Sequence, residues 1–84
     1  MLKATITGRI WSTKKIPDVP TGSILEVMVD HSNQQLLAFD PLGCGAGEKV
    51  IVAVGSVAAA WFPGKAPPID ALIIGSIDEV ATKP

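Results

Sequence analysis

The amino-acid sequence predicts an all-β fold, a small five-stranded OB-like β-barrel with one short helix before the last strand. Five short segments are apolar or alternate with period two, and clusters of Gly, Pro, Asp or Asn bound them. A single alanine-rich stretch lies between the fourth and fifth of these segments. Strands this short close best into a barrel, because closure removes exposed edges. A short sandwich is the alternative architecture for the same elements.

Leu2, Ala4, Ile6, Gly8 and Ile10 alternate with Lys3, Thr5, Thr7 and Arg9, which predicts a first strand with one apolar and one polar face. Trp11-Ser12-Thr13 extends it and Lys14-Lys15 closes it. Pro17, Pro20 and Gly22 make Ile16–Gly22 a loop. Ile24–Val29 is the second strand. The turn cluster Asp30-His31-Ser32-Asn33 leads by a hairpin into the third, Gln35–Asp40, where Leu37 and Phe39 share a face. Pro41 ends that strand. Val50–Val54 is the fourth strand, and Gly55-Ser56 punctuates the chain. Ser56 is the expected N-cap of a helix through Val57–Ala60, extending toward Trp61. Pro63 and Gly64 stop the helix, and Lys65–Pro68 forms a rigid loop. The last strand is the most apolar and runs through Asp70–Asp78, with Val80 as a continuation.

The 84 residues predict one domain, 1–84, with Ala81–Pro84 a frayed tail. A chain this short buries only about 60–65% of the surface it exposes when unfolded. Hydrophobic residues make up 48% and charged residues 18%, and no charged side chain occurs between Val50 and Gly64. Too few charges are available to cover so large a relative surface, so another subunit is expected to cover part of it. The net charge of −1 argues against a phosphate-backbone partner. Cys44 is the sole cysteine, so neither an intrachain disulfide nor a thiolate metal cluster can form. The N-terminal residues lack a long apolar h-region, and no apolar run approaches the ~20 residues of a membrane helix. The expectation is a soluble cytoplasmic protein.

Asp40–Ser56 carries the densest punctuation, with Gly43, Gly45 and Gly47 alternating. This stretch is not a nucleotide cradle. A Walker A loop needs Ser or Thr after its lysine, and Val50 follows Lys49. A dinucleotide fingerprint needs G-x-G-x-x-G before a helix, whereas the spacing here is G-x-G-x-G before a β-rich run. Catalysis is equally short of parts. His31 sits in a turn without a nucleophile nearby, and Gly55-Ser56-Val57-Ala58 is not a nucleophile elbow. Asp40, Asp70 and Asp78 lie at strand ends, where turn capping explains them. Cys44, in a flexible loop, could react but has no activating neighbour in sequence. Single-strand nucleic-acid binding, the common use of an OB barrel, needs a positive groove and stacking aromatics. Lys14-Lys15 is the lone basic pair, and the aromatics are two Trp and two Phe.

Four segments together resemble the EutN/CcmL family of bacterial microcompartment vertex proteins, which includes the carboxysome pentamers. Gly8–Lys15 is similar to the family's opening strand, which ends in a small residue, Thr and basic residues. Ala38–Val50 resembles its acidic-ended strand, glycine-rich loop and Glu. Gly55-Ser56-Val57-Ala58-Ala59 resembles its Gly-Ser-small-Ala element, and Pro68–Asp78 its closing Pro-hydrophobic-Asp strand. These pieces occur in the family's order and cover nearly the whole chain.

The resemblance implies a barrel that assembles into a cyclic homopentamer at the vertices of an icosahedral shell tiled by hexameric shell proteins. It implies a structural protein with no enzymatic activity, cofactor, metal, nucleic acid or membrane. Gly43, Cys44, Gly45, Ala46, Gly47, Glu48, Gly55 and Ser56 become candidates for the subunit interface or an axial pore. Family members often carry Arg after the Gly-Ser element, where this chain has Ala59-Ala60-Trp61, so no role of that Arg carries over. Lys14-Lys15-Ile16-Pro17 is more similar to carboxysome members than to others. The rival readings are a single-strand nucleic-acid-binding module, a small enzyme using Cys44 or His31, and an oligomeric barrel of another purpose.

Overall fold

Alternation and turn chemistry produce five strands: β1 (Leu2–Ile10), β2 (Ser23–Val29), β3 (Gln35–Asp40), β4 (Lys49–Val54) and β5 (Ala71–Ser76). The single helix, α1 (Ser56–Ala60), joins β4 to β5. The computed structural model describes residues 1–10, 16–17, 22–64 and 68–78. The expected extension through Trp11–Lys15, the 65–67 part of the second loop, Val80 and the 81–84 tail lie outside the described residues.

The strands close into a barrel in the order β1-β2-β3-β5-β4, as an OB-like barrel requires. Neighbours pair antiparallel except β3 and β5, which run parallel and meet through Phe39 and Leu72. Ala4, Ile6, Leu25, Val27, Ala38, Val50, Val52, Ala71 and Ile73 fill the interior. Burying each larger aliphatic side chain contributes about 1.5–3 kcal/mol. A second, smaller cluster sits on the outer wall. There Phe39 and Leu72 are covered by Ala58 of α1, with Phe62 and Ile69 packed alongside. Leu37 does share the outward face with Phe39, but it lies beyond this cover and stays exposed.

Two local expectations are corrected. The alternation of β1 does not run unbroken to Ile10. Ala4 and Ile6 point inward opposite Val29 and Val27, then the register shifts between Ile6 and Gly8, so that Ile10 pairs with outward-facing Ile24. A β-bulge adds one residue and so exchanges the faces that follow; Ile10 consequently ends on the surface. The second correction concerns the helix start. Gly55 occupies the N-cap position with φ 72° and ψ −149°, no side chain caps the helix, and Ser56 is its first helical residue. Glycine is favoured because its positive φ lets the chain turn sharply out of β4.

Gly22 is set by packing. A Cβ built there would lie 2.4 Å from Cζ of Phe39 and 2.8 Å from its Cε1. The ring cannot yield freely, since it also packs edge-on against Phe62 with centroids 5.5 Å apart. Gly22→Ala is expected to cost about 1–3 kcal/mol as an overpacking change, lowering the melting temperature by at least about 4 °C. Thermal denaturation followed by circular dichroism measures this, and an unchanged melting point would show that the ring shifts freely.

Candidate subunit interface

The glycine-rich segment between β3 and β4 is ordered by one carboxylate. Asp40 faces the barrel end and is buried. Its Oδ1 accepts a hydrogen bond from the Leu42 amide at 2.9 Å and its Oδ2 one from the Cys44 amide at 2.7 Å. These are charge-assisted bonds to backbone donors that would otherwise lack partners. They curl the chain so that Cys44 joins the interior cluster and plugs the barrel end. The expected turn-capping role of Asp40 is thus present; among the described residues, no such bond forms at Asp70 or Asp78.

Beyond Cys44 the loop is tied to β1 and β5. The Gly47 amide donates to Ile6 O at 2.8 Å, and the Ile6 amide donates to Glu48 O at 3.0 Å. Glu48 reaches back with Oε1 accepting from the Gly45 amide at 3.0 Å, while its Oε2 accepts from Ser76 Oγ at 3.2 Å. The three glycines are not equivalent. Gly43 and Gly47 adopt φ of 84° and 89°, a region L-residues enter with strain. Gly45 does not, and a Cβ there would meet only Glu48 Oε1, at an ordinary 3.8 Å. Its own subunit does not demand glycine at position 45. Gly45, Ala46 and Glu48 are exposed at the loop tip, whereas Cys44 is not.

The other candidates, Gly55 and Ser56, follow the far end of β4. The six residues of that strand separate them from the loop by about 20 Å. The eight candidates therefore form two groups at opposite ends of one strand. The sequence marks the charge-free run but not which of its apolar side chains face outward. Val54, Val57 and Trp61 stand exposed within it, and Leu37, Leu42 and Ile74 are exposed elsewhere on the surface.

A polar cluster lies near the loop base. Thr5 Oγ1 donates to Asp30 Oδ1 at 3.0 Å, and Lys49 Nζ donates to Thr5 Oγ1 at 3.1 Å and to Asp30 Oδ2 at 3.2 Å. Partial desolvation pushes the Asp30 carboxyl up, but the Thr5 hydroxyl, the Lys49 ammonium and His31 outweigh it. The net effect holds Asp30 below the ordinary aspartate value.

The possible catalytic groups are not brought together. His31 is exposed in the β2–β3 turn with φ 60°. The expectation that Cys44 is an available thiol is corrected by its burial, which pushes its pKa up, with the Asp40 and Glu48 carboxylates adding to the shift. Among the described residues no group of three His, Cys, Asp or Glu is placed to hold a metal ion, and no helix is long and apolar enough to cross a membrane.

The family profile described as "Ethanolamine utilisation protein EutN/carboxysome" matches residues 1–78. The chain is 32% identical over 87 residues to "Bacterial microcompartment shell vertex protein EutN" of Escherichia coli (strain K12), covering 98% of this chain and 92% of that one. It is 35% identical over 85 residues to "Carboxysome shell vertex protein CcmL" of Synechocystis sp. (strain ATCC 27184 / PCC 6803 / Kazusa), covering 95% and 85%. Its fold superposes on the pentameric shell protein MSM0273 from the RMM microcompartment with a TM-score of 0.88 and 57% identity. That match covers 92% of this chain and 100% of the other.

Two outcomes follow from the local chemistry. Because Asp30 is held below its unfolded value, its contribution to stability is present above the ordinary aspartate range near 3.9. That contribution is lost as pH falls through the lower folded value. Asp30→Asn should therefore flatten the acid limb of a stability-against-pH profile, measured by urea denaturation; an unaltered limb would dismiss the cluster as a stabilising element. Cys44 should react with a thiol reagent at pH 8 far more slowly in the folded protein than in urea. Equal rates would contradict its burial.

Proposed function

Because the chain belongs to the EutN/CcmL family, we propose that it is a vertex subunit of a bacterial microcompartment shell, acting as a homopentamer without enzymatic activity. The observation that carries this reading is the near full-length match, at 57% identity, to a pentameric shell protein. The physical reasoning agrees with it. A flat hexagonal sheet cannot close into a polyhedron without fivefold points, so a pentamer among hexameric shell proteins supplies curvature and needs no turnover. A fivefold ring uses one heterologous contact repeated until it closes, and the exposed apolar side chains are surface for such contacts to cover. The shell is cytoplasmic. The stronger identity to the RMM microcompartment subunit than to the carboxysome protein favours a shell of the former kind.

Within this assembly the loop Gly43–Glu48 and the corner Gly55-Ser56 contact neighbouring subunits. Gly45 supports the assignment of the loop, because its missing side chain has no use inside its own subunit and suits a close approach by another backbone. Nucleic-acid binding has little in its favour: the net charge is −1, and the one strongly exposed aromatic among the described residues, Trp61, lies in a charge-free run.

Co-expression with a hexameric shell protein tests the function. Closed polyhedral shells are expected when the chain is present and open sheets or tubes when it is omitted; closure without it would overturn the reading. Gly45→Val should leave the melting temperature of the isolated subunit nearly unchanged while impairing assembly. A normally assembling variant would remove the loop from the contact.

A further inference from the structure

The two ends of the barrel are built differently. At one end Asp40 draws Cys44 into the interior and the glycine-rich loop closes it. At the other end β1, β3 and β5 begin and β4 finishes. There Leu2, Leu36, Leu37, Val54 and Ala71 line a mouth of about 440 Å³. Gln34, Gln35, Gly55 and Asp70 complete its lining, so it offers an apolar floor and a few polar groups.

The closed end carries a projection. Leu42 is 55% exposed although its amide is fixed on Asp40. Gly43, Gly45 and Ala46 are exposed beside it. The amides of Gly43 and Ala46 find no hydrogen-bond acceptor in their own subunit among the described residues. The Glu48 carboxylate is already engaged by the Gly45 amide and the Ser76 hydroxyl. The loop therefore presents one leucine and bare backbone.

We propose that the loop Leu42–Ala46 of one subunit seats in the barrel mouth of the next copy of the chain. The proposal rests on the self-assembly argued under the function and pairs its two groups of contact residues, the loop of one subunit with the Gly55 corner of its neighbour. A ring made from one repeated heterologous contact needs two different patches on each subunit. The loop and the mouth lie at opposite ends of β4, six residues long, and so about 20 Å apart. A loop tied to β1 and β5 at the far end cannot fill its own mouth.

The two surfaces are complementary. Leu42 gains aliphatic neighbours in the mouth. The free Gly43 and Ala46 amides meet the side-chain oxygens of Gln34 and Gln35 and the Asp70 carboxylate, side chains without partners of their own among the described residues. An amide donating to a carboxylate makes a charge-assisted bond. A Cβ at Gly55 would touch nothing within 4 Å, which leaves that corner open to an approaching backbone. Because the loop is already braced, seating it costs little conformational entropy. Asp70 is the mouth's one charged group, so a strongly charged partner has little to recognise, which favours the loop of a second copy as occupant.

Cross-linking of the full chain tests this, with a double variant carrying Leu42→Cys and Val54→Cys. Within one subunit these positions are beyond the reach of a short bis-maleimide, and Cys44 is buried. The double variant should give covalent species of up to five chains, and either single variant should remain uncross-linked. Native mass spectrometry of the wild type is run alongside, and a monomer there would overturn the vertex reading itself. A pentamer whose double variant yields no linked chains would overturn the proposal and leave the vertex reading intact. Two further variants, Leu42→Arg and Val54→Arg, are checked for folding by circular dichroism. Each should associate at least about 30-fold more weakly, the loss expected at the centre of a contact. Their equimolar mixture should give a heterodimer, since one keeps the mouth and the other the loop. Folded variants that stay pentameric would overturn the proposal; if they also fail to close shells with a hexameric shell protein, the mouth belongs to that partner instead.

Discussion

A closed β-barrel sends alternate side chains inward and outward, and five short strands enclose only a narrow interior. Here that interior takes mostly Ala, Val, Leu and Ile from every strand. In a chain with 48% hydrophobic residues, the interior cannot hold the remainder, which must face outward. Much of the rest of the architecture follows from this constraint. One short helix covers part of the outer wall, placing Ala58 over Phe39 and Leu72. Val54, Val57, Trp61, Leu37 and Ile74 remain outside that cover, and for them the physical remedy is a neighbouring molecule.

The barrel end beside the glycine-rich loop is closed by a different device. Asp40 gathers two backbone amides and sends Cys44 into the core. Two glycines then provide the left-handed turns, and Glu48 ties the tip of the loop to β5. The result is a braced projection. Rigidity of this kind suits a contact that must repeat at one angle around a ring, because conformational freedom in the loop would spread that angle.

The strands were legible in the sequence because alternation and turn residues act locally. β3 runs from Gln35 to Asp40 as its bounding turn cluster and Pro41 indicate. The bulge in β1 was not legible, since the alternation of Leu2, Ala4, Ile6, Gly8 and Ile10 is unbroken in sequence and the slip arises from pairing with β2. The same holds for the helix start. Ser56 has the chemistry of a cap, but the sharp exit from β4 needs the positive φ of Gly55 and moves Ser56 one position inward. Cys44 looked available because its neighbours are glycines, and only the bonds to Asp40 show why it turns inward. As for the candidate interface, composition indicated that a neighbour was needed. The separation of the loop from Gly55-Ser56, at opposite ends of β4, required the fold.

The central claim is that this barrel satisfies its exposed apolar surface by closing a ring of five. Native mass spectrometry of the purified chain tests it most directly. The account predicts one dominant species containing five copies of the 8.7 kDa chain, persisting as salt is raised because the contacts are largely uncharged. A monomer across the same salt range, or a closed ring of another number, would contradict it.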